Sequence, residues 1–185
     1  MDNTLWALGR VSGIVSLILF TGTVVLGILT RSGRPLLSIP RYSLTLIHRN
    51  FALLATIFLA LHVGTLVLDS FAKLTVADVV VPFLGSYRPF WQGLGTVAFD
   101  LVVAVVVTSL LRRRIGVRAF RAVHWFTYAM WPIALAHALG NGTDGTSKFF
   151  LMLAICSLIS VGAALVWRFS TNFLETAKTR QEELQ

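Results

Sequence analysis

The chain has 185 residues, 56% of them hydrophobic and 13% charged, with a mean hydropathy of +0.77. Soluble domains carry about 25% charged residues, so this composition excludes an ordinary soluble enzyme and predicts one all-α, polytopic membrane helix bundle over residues 1–185. Sixteen basic against eight acidic residues give a net charge of +8. The arginines flank apolar spans, so membrane topology rather than nucleic-acid binding accounts for that excess.

Five segments approach the ~20 apolar residues that cross a bilayer. The first, about Leu5–Leu29, lacks the basic start of a cleavable signal peptide and reads as a true span. It contains Arg10 and a Gly9–Gly13 spacing that suits close helix association. A connection with Arg31, Arg34 and Arg41 leads to the second span, about Leu44–Leu68, which holds His48, Arg49 and His62. The following loop, Asp69–Gly93, balances Lys73 and Arg88 against Asp69 and Asp78. Its Phe83, Tyr87, Phe90 and Trp91 suit a re-entrant or interfacial segment, or an ordinary aromatic belt.

The third span, about Leu94–Leu111, carries Asp100 and ends in the run Arg112–Arg114, followed by Arg118. The fourth, about Ala119–Leu139, holds Arg121, His124, Trp131, Pro132 and His137. After a short loop balancing Asp144 with Lys148, the fifth runs about Phe149–Arg168. It contains Cys156, the single cysteine, which allows no internal disulfide and reads as a buried inert thiol. Lys178–Gln185 reads as a solvated tail. Basic loops face the cytoplasm, so five spans place the N-terminus outside and the C-terminus inside.

The four histidines are all intramembrane. His48 and His62 lie fourteen residues apart, and His124 and His137 thirteen apart. At ~1.5 Å per residue, each pair spans roughly 20 Å of a ~30 Å hydrocarbon layer. Spans two and four run in the same direction. His48 and His124 therefore share one depth and His62 and His137 another. Two neutral imidazoles fill both axial positions of a haem iron, so the pattern suggests two haems, His48/His124 at the inner side and His62/His137 at the outer. A six-coordinate haem favours electron transfer over substrate binding.

Rotation supports the first pair and strains the second. His48 and His62 fall about 40° apart on an ideal helix, whereas His124 and His137 fall about 140° apart. Pro132 is expected to supply a kink that restores a common direction. Arg10 is expected to pair with Asp100, or to face a propionate of the outer haem. Arg41, Arg49 and Arg121 are propionate candidates at the inner side, or snorkel to lipid phosphate. Trp131 lies between the two levels, either shortening the electron path or packing in the bundle. Small residues such as Ala52, Ala55, Gly64, Ala134, Ala136 and Ala138 admit a flat macrocycle or a close helix.

These spacings resemble the ferric reductase-like transmembrane family, which includes the membrane parts of NADPH oxidases and ferric reductases and the haem subunit of bacterial methionine-sulfoxide repair systems. Trp6-Ala-Leu-Gly-Arg10, Tyr87-Arg-Pro89, Val123-His-Trp125 with Tyr128, and Gly142-Thr-Asp144 add to the likeness. The resemblance implies two b-type haems and electron flow from a cytoplasmic flavin or NADPH donor to an outer acceptor. Larger relatives commonly have six spans and a flavin domain. This chain shows no glycine-rich dinucleotide motif, so the reductase is expected to be a separate protein, or the donor membrane quinol.

The leading expectation is a cytochrome b of a bacterial plasma membrane, the electron-transfer component of a transmembrane oxidoreductase, with no catalytic side chain of its own. Its acceptor would be ferric iron, oxygen or an outer partner. The alternatives are a haem-free transporter, proton relay or assembly subunit, an inert anchoring cytochrome, a zinc or copper site, and four unrelated hydrogen-bonded histidines.

Overall fold

The computed structural model describes residues 3–32, 40–70, 72, 74–170 and 173. Arg34, Lys73, the tail Lys178–Gln185 and the side chain of Arg41 lie outside the described residues. Among the described residues seven helices occur in chain order: α1 Asn3–Arg31, α2 Arg41–Leu68, α3 Val76–Val80, α4 Pro89–Leu110, α5 Arg112–His124, α6 Thr127–Asn141 and α7 Lys148–Arg168. No strand occurs among the described residues. Segments of α1, α2, α4 and α7 are each long and apolar enough to cross a membrane.

A bilayer offers no water to backbone amides, so spanning segments close their hydrogen bonds internally as helices. Their hydroxyls are satisfied in the same way, bonding back to the carbonyl four residues earlier. Ser12 reaches Leu8 at 2.6 Å, Thr56 reaches Ala52 at 2.8 Å, and Thr65 reaches Leu61 at 2.7 Å. Ends are fixed by local chemistry. Pro89 opens α4 at a position needing no amide. Ser147 caps α7 by accepting from the Phe150 amide at 3.2 Å.

The expected fourth span is not one helix. Gly116, at φ 82°, interrupts α5 and separates Arg112–Ile115 from Val117–His124, a backbone conformation that glycine alone adopts freely. A second break falls at Trp125–Phe126, between α5 and α6. There Phe126, Tyr128 and Ala129 bond three residues back instead of four, to Val123, Trp125 and Phe126. Each residue of such a 3₁₀ turn advances ~120° rather than ~100°. The tightening therefore rotates His137 in the sense that reduces its offset from His124. Pro132 lies inside helix α6, and the bonds three residues back fall upstream of it, at Trp125–Phe126.

Helix directions follow from cross-helix bonds. His62 meets Gly9 and His48 meets Thr23, so α1 and α2 are antiparallel and form the most extensively packed pair. Arg88 donates to the Gly140 carbonyl at 2.7 Å, so α4 and α6 are likewise antiparallel. α2 runs parallel to the α5–α6 segment. The core lies around α1, whose Leu17, Phe20, Val24 and Ile28 follow helical spacing and pack against Met130, Trp131 and Leu135 of α6 and Phe150, Ala154 and Val161 of α7. Cys156 is exposed on α7, facing away from the bundle rather than buried as expected.

The loop after α2 folds α3 over one end of α4. Thr75 and Asp78 form a reciprocal capping box, and Thr96 of α4 donates to the Asp78 carbonyl at 2.8 Å. Phe90 lies 6.4 Å from Phe83 and 5.1 Å from Trp91 between ring centroids. All three rings are exposed, as a headgroup-level belt requires.

Candidate functional site

Each histidine of α2 is oriented by α1. His62 Nδ1 lies 2.7 Å from the Gly9 carbonyl, and His48 Nδ1 lies 2.9 Å from that of Thr23. On α6, His137 Nδ1 lies 2.8 Å from the Trp91 carbonyl of α4. A carbonyl only accepts, so these three rings donate through Nδ1–H and keep a lone pair on Nε2. This arrangement is typical of a metal-ligating imidazole. His124 differs, since its buried Nδ1 has no hydrogen-bond partner among the described residues.

One expected pair is in ring contact, and the other shares a cavity. His48 and His124 lie 6.4 Å apart between centroids, with planes at 73°. Metal–nitrogen bonds of ~2.0–2.1 Å and ~1.1 Å from each nitrogen to its ring centre put two imidazoles on one ion ~6.3 Å apart. His62 and His137 line one cavity of about 1060 Å³, at the upper limit of the ~300–1,000 Å³ of small-molecule pockets. Its lining includes Gly13, Leu17, Phe20, Gly95, Ala134, Asp78, Gln92 and Asn141, with the part-exposed Arg10 and Asp144 at its mouth. Asn141 donates to Gln92 at 2.9 Å, and its own side-chain oxygen is buried without a partner. Among the described residues no three of His, Cys, Asp and Glu gather as a metal cluster. A pair of imidazoles without further side-chain ligands would suit an ion whose remaining ligands come from a macrocycle.

The charged residues depart from expectation. Arg10 pairs with Asp144 of the α6–α7 loop, not with Asp100, and stacks 4.0 Å over Trp6. Asp144 attracts Arg10 because both lie at the cavity mouth, whereas Asp100 is exposed on the flank of α4. Arg49 and Arg121 are exposed at the arginine-rich end, near His48 and His124 in sequence. Trp131 is 4% exposed and donates from Nε1 to Thr21 at 3.0 Å. It packs α6 against α1, outside the cavity wall.

Sequence reading did not single out Thr23, Gly27, Trp91 as a carbonyl or Gly95. Main-chain acceptors carry no sequence signal. The glycines had one available signal, in that Gly13 and Gly27 repeat the fourteen-residue interval of His48 and His62.

Residues 12–135, two thirds of the chain, match the family described as ferric reductase like transmembrane component. The chain belongs to that family. The matched range contains His48, His62 and His124 and ends two residues before His137. Neither the comparison with curated proteins nor that with solved structures gives a match. Membership and the apolar helices identify a multi-pass membrane protein of a family linked to transmembrane electron transfer and generally haem-binding.

Proposed function

We propose that residues 1–185 form a single haem domain, a transmembrane b-type cytochrome that carries electrons across the bilayer. His48 and His124 hold an inner haem, and His62 and His137 an outer one. The observation that supports this most is that His48 meets His124 while His62 and His137 line one cavity, with three of the four imidazoles fixed so that Nε2 is available. Bound haem would supply a one-electron iron couple, and two axial histidines per iron favour transfer over substrate binding.

The chain's own residues orient and enclose. Thr23, Gly9 and Trp91 hold three rings through their carbonyls, and Leu17, Phe20 and Ala134 keep the outer site apolar. Arg10 is poised at the cavity mouth as a donor toward a carboxylate of the outer group, balanced by Asp144. Arg49 and Arg121 are the corresponding cations at the inner side.

In this reading the N-terminus is outside and the C-terminus cytoplasmic, in a bacterial plasma membrane. The donor is a separate flavin- or NAD(P)H-dependent reductase or membrane quinol, and the acceptor is ferric iron, oxygen or an outer partner. Protein purified from a haem-replete host should show reduced-minus-oxidised bands of low-spin haem b, at two haems per chain. A preparation with no Soret band would overturn the proposal and favour a haem-free transport or proton-relay role.

A further inference from the structure

We infer that Gly13, Gly27 and Gly95 are positioning residues that uncover three helix carbonyls so that the histidines can bond to them. The inference rests on the haem-ligand reading above. One register recurs three times. His62 bonds to the carbonyl of Gly9 and lies against Gly13. His48 bonds to that of Thr23 and lies against Gly27. His137 bonds to that of Trp91 and lies against Gly95. In every case the acceptor is residue i and the glycine is residue i+4.

Helix geometry explains the register. The carbonyl of residue i accepts the amide of residue i+4, and the side chain at i+4 leans back over that same turn. A Cβ there would occupy the space the imidazole needs. Built on Gly95 it would lie 2.6 Å from His137 Nδ1, and on Gly13 2.8 Å from His62 Nδ1. On Gly27 it would lie 3.2 Å from His48 Cε1, a tight contact rather than an overlap. α1 carries the unit twice, as Gly9/Gly13 and Thr23/Gly27, at the interval separating the two histidines of its antiparallel neighbour. One helix thereby serves both ligands of α2.

His124 stands outside the scheme. Among the described residues its buried Nδ1 has no partner and no glycine faces it. A bond from Nδ1–H to a carbonyl makes the imidazole a stronger donor to metal and favours the oxidised ion. The outer site has two such bonds and the inner site one. This contribution therefore lowers the outer midpoint potential relative to the inner one.

The test uses the full chain carrying Gly13→Ala, Gly27→Ala or Gly95→Ala. Gly162→Ala and Cys156→Ala serve as controls, since a Cβ at Gly162 meets nothing within 4 Å and Cys156 is exposed on α7. Haem-to-protein ratio, redox titration and low-spin electron paramagnetic resonance are read on each. Gly13→Ala and Gly95→Ala should halve the haem content by loss of the outer haem, or retain it with the outer midpoint raised. Gly27→Ala should retain both haems with only the inner midpoint raised, and the controls should match wild type. Wild-type haem content, midpoints and spectra in all three variants would overturn the inference. So would loss of both haems together from all three, the mark of a role in helix packing alone. Haem-free wild-type protein would overturn the ligand reading and this inference with it, whereas a haem-replete wild type with indifferent glycine variants overturns this inference alone.

Discussion

The His62/His137 end and the His48/His124 end draw on the same residue type, and α2 supplies one member of each pair. Their surroundings differ. At the first, both imidazoles are held by carbonyls of antiparallel neighbours, α1 for α2 and α4 for α6, and both line one cavity. At the second, only His48 has such support. His124 ends a polar helix with no buried residue, bounded by Gly116 on one side and the 3₁₀ turn at Trp125–Phe126 on the other. A ligand is well oriented where a straight antiparallel helix presents its backbone. It is less constrained where the chain bends.

Removing ligands tests that contrast most directly. His62→Ala or His137→Ala should halve the haem content and leave the inner haem's spectrum intact, and His48→Ala or His124→Ala should do the reverse. A single change that removes both haems would break the separation into two sites. Among the inner pair, His48→Ala should disturb the paramagnetic spectrum of any remaining haem no more than His124→Ala does.

Trp131 lies between the two levels and should affect both ends alike. Trp131→Ala deletes a buried ring and should destabilise the folded protein by about 3–5 kcal/mol, read as a lower melting temperature in detergent. Trp131→Phe keeps most of the packing and forfeits the bond to Thr21, at about 1 kcal/mol. Equal loss of haem from both sites in Trp131→Ala would fit its place in the shared core; selective loss from one would reassign it to that site.

Arg10→Ala or Asp144→Asn should act on the outer site only. The partners are 28% and 42% exposed, so the pair contributes at most about 1 kcal/mol to stability. The expected readout is a shift in the outer midpoint with the inner unchanged, and an equal shift of both would contradict the placement at the mouth.

The smallest effect concerns the α3 cap. Backbone and side-chain hydrogen bonds from Thr75 hold the Asp78 carboxyl below its usual range. A carboxylate whose folded value is lowered stabilises the fold above its unfolded value of ~3.9, and that contribution is lost as pH falls through the lowered folded value. Asp78→Asn should therefore speed proteolysis of the loop between α2 and α4 at neutral pH, and acid should abolish the difference from wild type. The inner haem should not respond.

Long apolar runs made the spans legible, because only a helix satisfies its own backbone in lipid. The same runs hid the break before α6, since Trp125 and Phe126 are as apolar as their neighbours and a tightened turn needs no special residue. Arg10 was legible as an intramembrane charge, but not its partner. Depth along a helix follows from residue counting, whereas the direction a side chain faces depends on how neighbouring helices pack. Asp100 matches Arg10 in depth and lies on the exposed flank of α4.

By itself, the sequence determined the composition, the apolar segments and the spacing of the histidines along their helices, which suggests the pairing of His48 with His124 and His62 with His137. These depend on a fixed rise per residue and a fixed membrane thickness, both properties of a single helix. Tertiary structure alone decided the turn that swings His137, the salt bridge between Arg10 and Asp144, and the three carbonyls that hold the imidazoles. The carbonyl bonds arise where two helices touch and the salt bridge where a loop meets a helix, and main-chain acceptors become specific only through what packs against them.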